Sequence, residues 1–138
     1  MELEIVIKKV TLNQIYRIRH EVMWPDKLLD FVKLEADQDG IHLGLFQGQK
    51  LTSIVSLFVV KEEMQFRKFA TVKTEQGKGF GTRLLNYVFE FVSNKDITRV
   101  WCNARLSKSD FYKRFGMKVI SEPYVKSGIV YVTMEKVN

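Results

Sequence analysis

Cysteine is nearly absent from this chain: Cys102 stands alone among 138 residues, so no internal disulfide can form, and with only two histidines, His20 and His42, no typical structural zinc site can be assembled. Proline is as scarce, with Pro25 and Pro123 only, and no Pro- or Gly-rich stretch marks a linker. Long apolar runs are missing too. The longest, Ile54 to Val60, is already broken by Ser56, and a membrane helix needs about 18 residues. The first residues, Met-Glu-Leu-Glu-Ile, carry acid where an export signal carries base, which leaves no export signal and predicts a cytoplasmic protein. There is no internal repeat, and the length suits one domain over residues 1–138.

What is present is a 46% hydrophobic, 12% aromatic globular composition and a net charge of +6. The charge is unevenly spread. Residues 61–83 hold six basic and three acidic groups, and residues 98–118 hold six and one, so the remainder is slightly negative. Two basic segments suit an anionic ligand. A pI near 9.4 also fits a nucleic-acid binder, but the basic residues form no stripe along one helix and the aromatics alternate with apolar residues as core, so nucleic acid is the weaker reading.

Hydrophobic periodicity predicts the elements. Leu3, Ile5 and Ile7 read as a strand, and Thr11 as the N-cap of a helix whose inner face is Leu12, Ile15, Ile18 and Val22, with Arg17, Arg19 and Glu21 outside. Trp24-Pro25-Asp26 ends that helix. A short helical segment from Lys27 to Leu34 and an acidic turn from Glu35 to Gly40 follow. Ile41 to Phe46 and Leu51 to Val60 read as a hairpin about Gln47-Gly48-Gln49-Lys50, and Met64 to Val72 as the next strand. Phe80, Leu84, Leu85, Val88 and Val92 line one face of a helix, which Asn94 and Asp96 close. Ile97 to Cys102 is a central strand; a helix capped by Ser107 or Ser109 ends at Gly116, and Met117 to Ile120 and Ile129 to Val137 close the chain as strands. Such an alternation predicts a mixed α/β, three-layer sheet.

The stretch with the most chemistry is Gln76-Gly77-Lys78-Gly79-Phe80-Gly81, between a strand and a helix. Glycines let the backbone adopt positive φ and approach a ligand closely. The first turn of a helix then offers unpaired N–H groups and a positive dipole end to a phosphate, with Lys78 and Arg83 adding charge. The spacing excludes two familiar phosphate loops. A dinucleotide fingerprint would need glycine at Thr82, and a P-loop would need serine or threonine at Gly79.

Gln76, Gly79 and Gly81 match in register the Gln/Arg-x-x-Gly-x-Gly/Ala loop of the GNAT acyltransferase superfamily. Downstream, Trp101-Cys102-Asn103 and Phe111-Tyr112-Lys113-Arg114-Phe115-Gly116 resemble that superfamily's fifth strand with its asparagine and the Phe-Tyr-x-x-x-Gly helix. The resemblance is good from about Phe66 to Gly116 and is one of pattern alone over the first 60 residues. It implies a mostly antiparallel sheet of about seven strands with helices on both faces, and transfer of an acetyl group from acetyl-CoA to an amine, with no metal. The coenzyme A contacts it implies are the main chain of Phe69, Ala70 and Thr71; the loop from Gln76 through Gly77, Lys78, Gly79, Phe80 and Gly81 to Thr82; and Asn103 and Tyr112.

Direct attack on a thioester needs a proton for the departing thiolate, and the resemblance gives that role to the Tyr112 phenol. The general base is less legible. Where some relatives of this superfamily carry a glutamate, this chain has Gln65, which cannot take a proton. Glu62 and Glu63 remain as bases acting through water. The acidic run Glu35, Asp37, Asp39 is either an amine-attracting wall or an ordinary loop, and His20 and His42 are chemically able bases that read better as core. Cys102, between Trp101 and Asn103, reads as a buried, inert thiol. The acceptor is expected to be a small-molecule amine; a homodimer is left open and no membrane partner is expected. The alternative is a catalytically silent acyl-CoA sensor.

Overall fold

A computed structural model describes residues 3–138; Met1 and Glu2, read above with the acidic first residues, lie outside the described residues. Strands β1 (Ile5–Lys9), β2 (Ile41–Gln47), β3 (Lys50–Val60), β4 (Glu63–Thr71), β5 (Arg99–Arg105), β6 (Lys118–Val119), β7 (Tyr124–Lys126) and β8 (Ile129–Val137) form one sheet. Its order is β1-β2-β3-β4-β5-β8-β6, with β7 also on β8. Every pairing is antiparallel except β4 with β5. The sheet has eight strands where about seven were expected, because Tyr124–Lys126 folds back on Tyr131–Ile129 as an extra hairpin arm.

Helix α1 (Leu12–Met23) is capped by Thr11, whose hydroxyl accepts from the Gln14 N–H at 3.2 Å while Gln14 returns a bond to the Thr11 N–H. Its Ile15 and Ile18 pack on Ile54, Ala70 and Val72 of one sheet face. On the other face, α2 (Phe80–Ser93) buries Leu84, Leu85, Val88 and Val92 against Leu43, Val55, Leu57, Met64 and Phe66. Each such side chain is worth about 1.5–3 kcal/mol of burial. The short α3 (Ser109–Lys113) lies on the same face through Phe111 and Tyr112.

Several local expectations are corrected. The Lys27–Leu34 segment forms only a 3-10 turn, Leu29–Val32, and the acidic run winds into a second, Glu35–Asp39. The fifth strand begins and ends later than Ile97–Cys102, because pairing with β8 continues to Arg105 opposite Tyr131. Ser109 does not cap α3; its hydroxyl donates to the Leu106 carbonyl at 2.8 Å.

The largest correction is Arg19. It is wholly buried, one helical turn beyond Ile15 on the inner stripe of α1. Its guanidinium donates to both Asp37 oxygens at 2.8 and 2.9 Å, to the Val32 carbonyl at 3.0 Å and to Ser56 Oγ at 2.9 Å. Asp37, far from being a solvated member of an acidic loop, is 1% exposed. His42 joins the same cluster, with Nδ1 2.8 Å from Ser56 Oγ and Nε2 2.8 Å from the Asp37 carbonyl. It is a satisfied core histidine. His20 lies outside this cluster, half-buried, with Nε2 2.6 Å from the Lys27 carbonyl.

Candidate active site

β4 and β5 pair only from Glu63 to Gln65 against Arg99 to Trp101. Beyond that point the two strands part, and β4 from Phe66 to Thr71 has no partner on its β5 side. Six residues of open strand span about 20 Å, enough backbone for an extended ligand to pair as an added strand would. This open edge includes Phe69, Ala70 and Thr71.

Within it the strand breaks phase. Ile54 faces Ala70 but Ser56 faces Arg67, so β4 carries one extra residue there, and Lys68 sits at φ +56°. This is a β-bulge. It interrupts the ladder with β3 beside the gap, and it brings Phe69 to the same face as Met64 and Phe66.

At the C-terminal end of β4 the glycine loop behaves as its composition requires. Gly77 and Gly79 have φ of +79° and +87°, and α2 starts directly after Gly79 without a side-chain cap. Among the described residues, no acceptor takes the backbone N–H groups from Gly77 to Thr82. Consecutive free donors at the N-terminus of a fourteen-residue helix form an anion cradle. Phe80, Gly81 and Thr82 contribute through their main chain. Gln76 instead spends its side-chain amide on the Thr71 carbonyl at 2.9 Å, which ties the loop to the strand. Lys78 is partly neutralised by Glu75 at 2.8 Å, so the cradle's field comes more from backbone than from this side chain.

Gly81 has a different role from the other two glycines. A Cβ there would meet the Phe69 ring at 3.0 Å, so Gly81 lets α2 approach β4, whereas nothing lies within 4 Å of a Cβ at Gly77 or Gly79. Phe69 in turn stacks on Phe111 at 6.0 Å and meets the edge of Tyr112 at 6.4 Å. Tyr112 also packs on Phe66 at 5.7 Å. The phenol therefore stands beside the part of β4 where the strands separate. Burial, with a smaller contribution from Cys102 and opposed by Arg105, pushes its pKa well above the usual value near 10. It keeps its proton across the physiological range.

Asn103 is exposed on β5, with its carbonyl oxygen fixed by Thr133 Oγ1 at 2.8 Å, which orients the amide N–H₂ as a donor. Cys102 is buried and its thiol is pushed up to about 12 by desolvation, an inert core group as read.

The glutamates do not join this constellation. Glu63 opens β4 at its paired end and is held by Arg99 at 2.9 Å. Glu62 precedes it in the turn, beside a shallow depression formed with Val60, Lys61 and Thr98. Phe66, where the strands part, is three residues and about 10 Å further along. Gln65 stands nearer, at the last paired position, but has no proton to take. The sequence reading missed the bulge and the pairing of Arg19 with Asp37. A signal for the first was available: Met64 and Phe66 are two apart, but Phe66 and Phe69 are three apart across the Arg67-Lys68 doublet.

Comparison with known proteins agrees with this geometry. Residues 20–138 match the family model described as Acetyltransferase (GNAT) domain. The Bacillus subtilis protein described as the uncharacterized N-acetyltransferase YitI is 26% identical over 132 residues, covering 89% of each chain. A candidate N-acetyltransferase of Lactobacillus plantarum superposes with a TM-score of 0.85 at 22% identity over 99% of both chains. A GNAT family acetyltransferase of Elizabethkingia anophelis, solved with acetyl-CoA bound, superposes at 0.76 with 16% identity over 97% of this chain and 98% of its own. The family match over residues 20–138, with which the sheet of this chain agrees, establishes that the chain belongs to the GNAT family of N-acetyltransferases, which use acetyl-CoA.

Proposed function

We propose that residues 1–138 act as one catalytic domain that moves an acetyl group from acetyl-CoA to the amine of a small molecule by direct attack. The observation that carries this reading is the position of Tyr112, packed on Phe66 and Phe69 at the opening between β4 and β5. Bound acetyl-CoA supplies the activated acyl group as a thioester. In this reading the N–H groups from Gly77 to Thr82 hold its pyrophosphate, and the open edge of β4 at Phe69, Ala70 and Thr71 pairs with the pantetheine arm. The Asn103 amide adds a donor from the opposite strand.

In this reading a main-chain N–H of the open edge of β4, beside the bulge at Lys68, polarises the carbonyl, a contribution that is preorganised and costs no rearrangement during reaction. Tyr112 donates its proton to the departing thiolate as the new N–C bond replaces the C–S bond. Solvent then reprotonates the phenolate. The acceptor's own proton leaves to water, because Gln65 cannot accept it, Glu63 stands at the paired end of β4 and Glu62 lies in the turn before it.

Acetyl-CoA binding by calorimetry, followed by thiol release with a panel of small amines, tests the proposal. Binding together with amine-dependent thiol release is the expected result. Tight binding without release for any amine would refute the enzymatic reading and leave a sensor.

A further inference from the structure

Arg67 and Lys68 sit where a strand so deeply packed would be expected to carry apolar residues. Both are half-buried. Arg67 lies opposite Ser56, so it borders the Arg19, Asp37 and His42 cluster on the α1 face of the sheet, while Lys68 occupies the bulge itself. Among the described residues, neither side chain has a hydrogen bond or an ion pair. Asp37, a nearby carboxylate, spends both oxygens on Arg19.

A third cation stands at the tip of a hairpin on the strand next to β5. β8 continues two residues beyond the end of its pairing with β5, from Tyr131 to Ile129, and the β7–β8 hairpin carries Lys126 at its tip. Lys126 comes close enough to add to the positive surroundings of Lys68. Burial first, and then the charge of Arg19, joined at Lys68 by those of Arg67 and Lys126, make the protonated forms of Arg67 and Lys68 harder to hold than usual, with Asp37 opposing only in part. Half-buried cations that lose water and gain no partner are costly to a fold. An anion entering among them offsets that cost.

We infer that the acceptor is an amine that also carries an anionic group, a carboxylate or a phosphate monoester, held by Arg67, Lys68 and Lys126 beside the opening between β4 and β5. This rests on the acyl-transfer reading above and narrows its substrate class. Coenzyme A's pyrophosphate does not account for the cluster: its cradle begins at Gly77, past the end of β4, and has its own donors. Arg67 also belongs to the α1 side of the sheet, whereas Phe69, which touches the cradle's Gly81, belongs to the α2 side. The cluster also has a consequence for the missing base. An ammonium brought among cations is destabilised relative to the neutral amine, so the residues that hold the anion favour the nucleophilic form.

The test uses compounds paired so that they differ only in the anion: amino acids against their amides, and phosphoryl amines against the corresponding alcohols. The free amines are assayed by thiol release, and their N-acetyl products are titrated by calorimetry into the CoA-saturated protein. In at least one pair the anionic member should bind about 10-fold tighter and react with a correspondingly higher kcat/KM; which pair responds distinguishes carboxylate from phosphate. Arg67→Gln and the exposed Lys126→Gln should each reduce that ratio several-fold while leaving acetyl-CoA affinity within about twofold. If no anionic member outperforms its neutral partner, or if the ratio survives both substitutions, the inference is wrong while acyl transfer stands. If anionic products bind in an Arg67-dependent way but no amine is acetylated, the anion site stands and the acyl-transfer reading falls.

Discussion

Replacing Asp37 with asparagine should destabilise this protein more than any exposed charge substitution. The guanidinium of Arg19 makes four hydrogen bonds in a site with no exposure, two of them to the Asp37 carboxylate. Asparagine keeps the volume but leaves the cation unbalanced, and it presents an N–H₂ group to a donor. Breaking one partner of a buried pair costs about 3–5 kcal/mol, against a total stability of about 5–15 kcal/mol for a domain. With about 2–4 °C per kcal/mol at this size, Tm should fall by roughly 6–20 °C. Urea denaturation followed by tryptophan fluorescence would measure the loss as a lower midpoint at unchanged slope. The sign of the pH dependence follows from the same contacts. Burial raises the Asp37 pKa, but the hydrogen bonds from Arg19 and the Leu34 N–H outweigh it and hold it below the usual carboxylate value. A depressed folded-state pKa stabilises the fold above the unfolded value near 4, and that contribution disappears as pH falls through the folded one. The Asp37→Asn variant should therefore lose less stability on acidification than the parent. A loss below about 1 kcal/mol at pH 7, with an unchanged acid limb, would show that water reaches the pair and would refute the argument.

The remaining predictions concern the site. Gly79→Val and Gly81→Val should fail differently: the first distorts a φ of +87° in open space and should abolish acetyl-CoA binding in a folded protein, while the second drives a side chain into Phe69 and should lower Tm as well. Equal coenzyme affinity in a folded Gly79→Val would remove the cradle from the site. Tyr112→Phe keeps the packing on Phe66 and Phe69 but removes the donor, so turnover should drop by about 10²-fold with little change in acetyl-CoA affinity. Unchanged turnover, with chemistry shown to be rate-limiting, would leave Tyr112 a packing residue. Cys102, raised to about 12 by burial, should resist alkylation at pH 8 in the folded protein and react readily in denaturant; rapid native labelling would contradict the buried placement.

Much of this architecture can be read from local pattern. Thr11 caps its helix because a hydroxyl three residues before Gln14 has a defined local geometry, and Phe80 to Val92 forms a helix because its apolar residues recur on one stripe. The glycine loop was legible for the same reason, since positive φ at Gly77 and Gly79 is a local demand. What could not be read depends on partners distant in sequence. Arg19 looks like a surface residue until Asp37, 18 residues on, and Ser56, 37 residues on, are brought to it. Glu62 and Glu63 look like candidate bases until the register sets Glu63 at the paired end of β4, held by Arg99, with Glu62 in the turn before it.

The bulge at Lys68 is where fold and site become one problem. Without its extra residue, β4 would keep a strict two-residue phase, and Phe69 would turn toward α1 with Arg67. The shift instead sends Phe69 to the α2 face, where it meets the bare Gly81 and supports Tyr112. The same displacement sets Lys68 beside the gap and leaves Arg67 facing the α1 side. One inserted residue thus divides the open strand into two chemistries: an aromatic wall under the glycine cradle, and a cationic margin on the opposite face. A ligand pairing along that edge would meet phosphate donors at one end and, at the bulge, the phenol on one side and the unpaired cations on the other. The strain of a lysine at positive φ is thus tied to the geometry on which the proposed reaction depends.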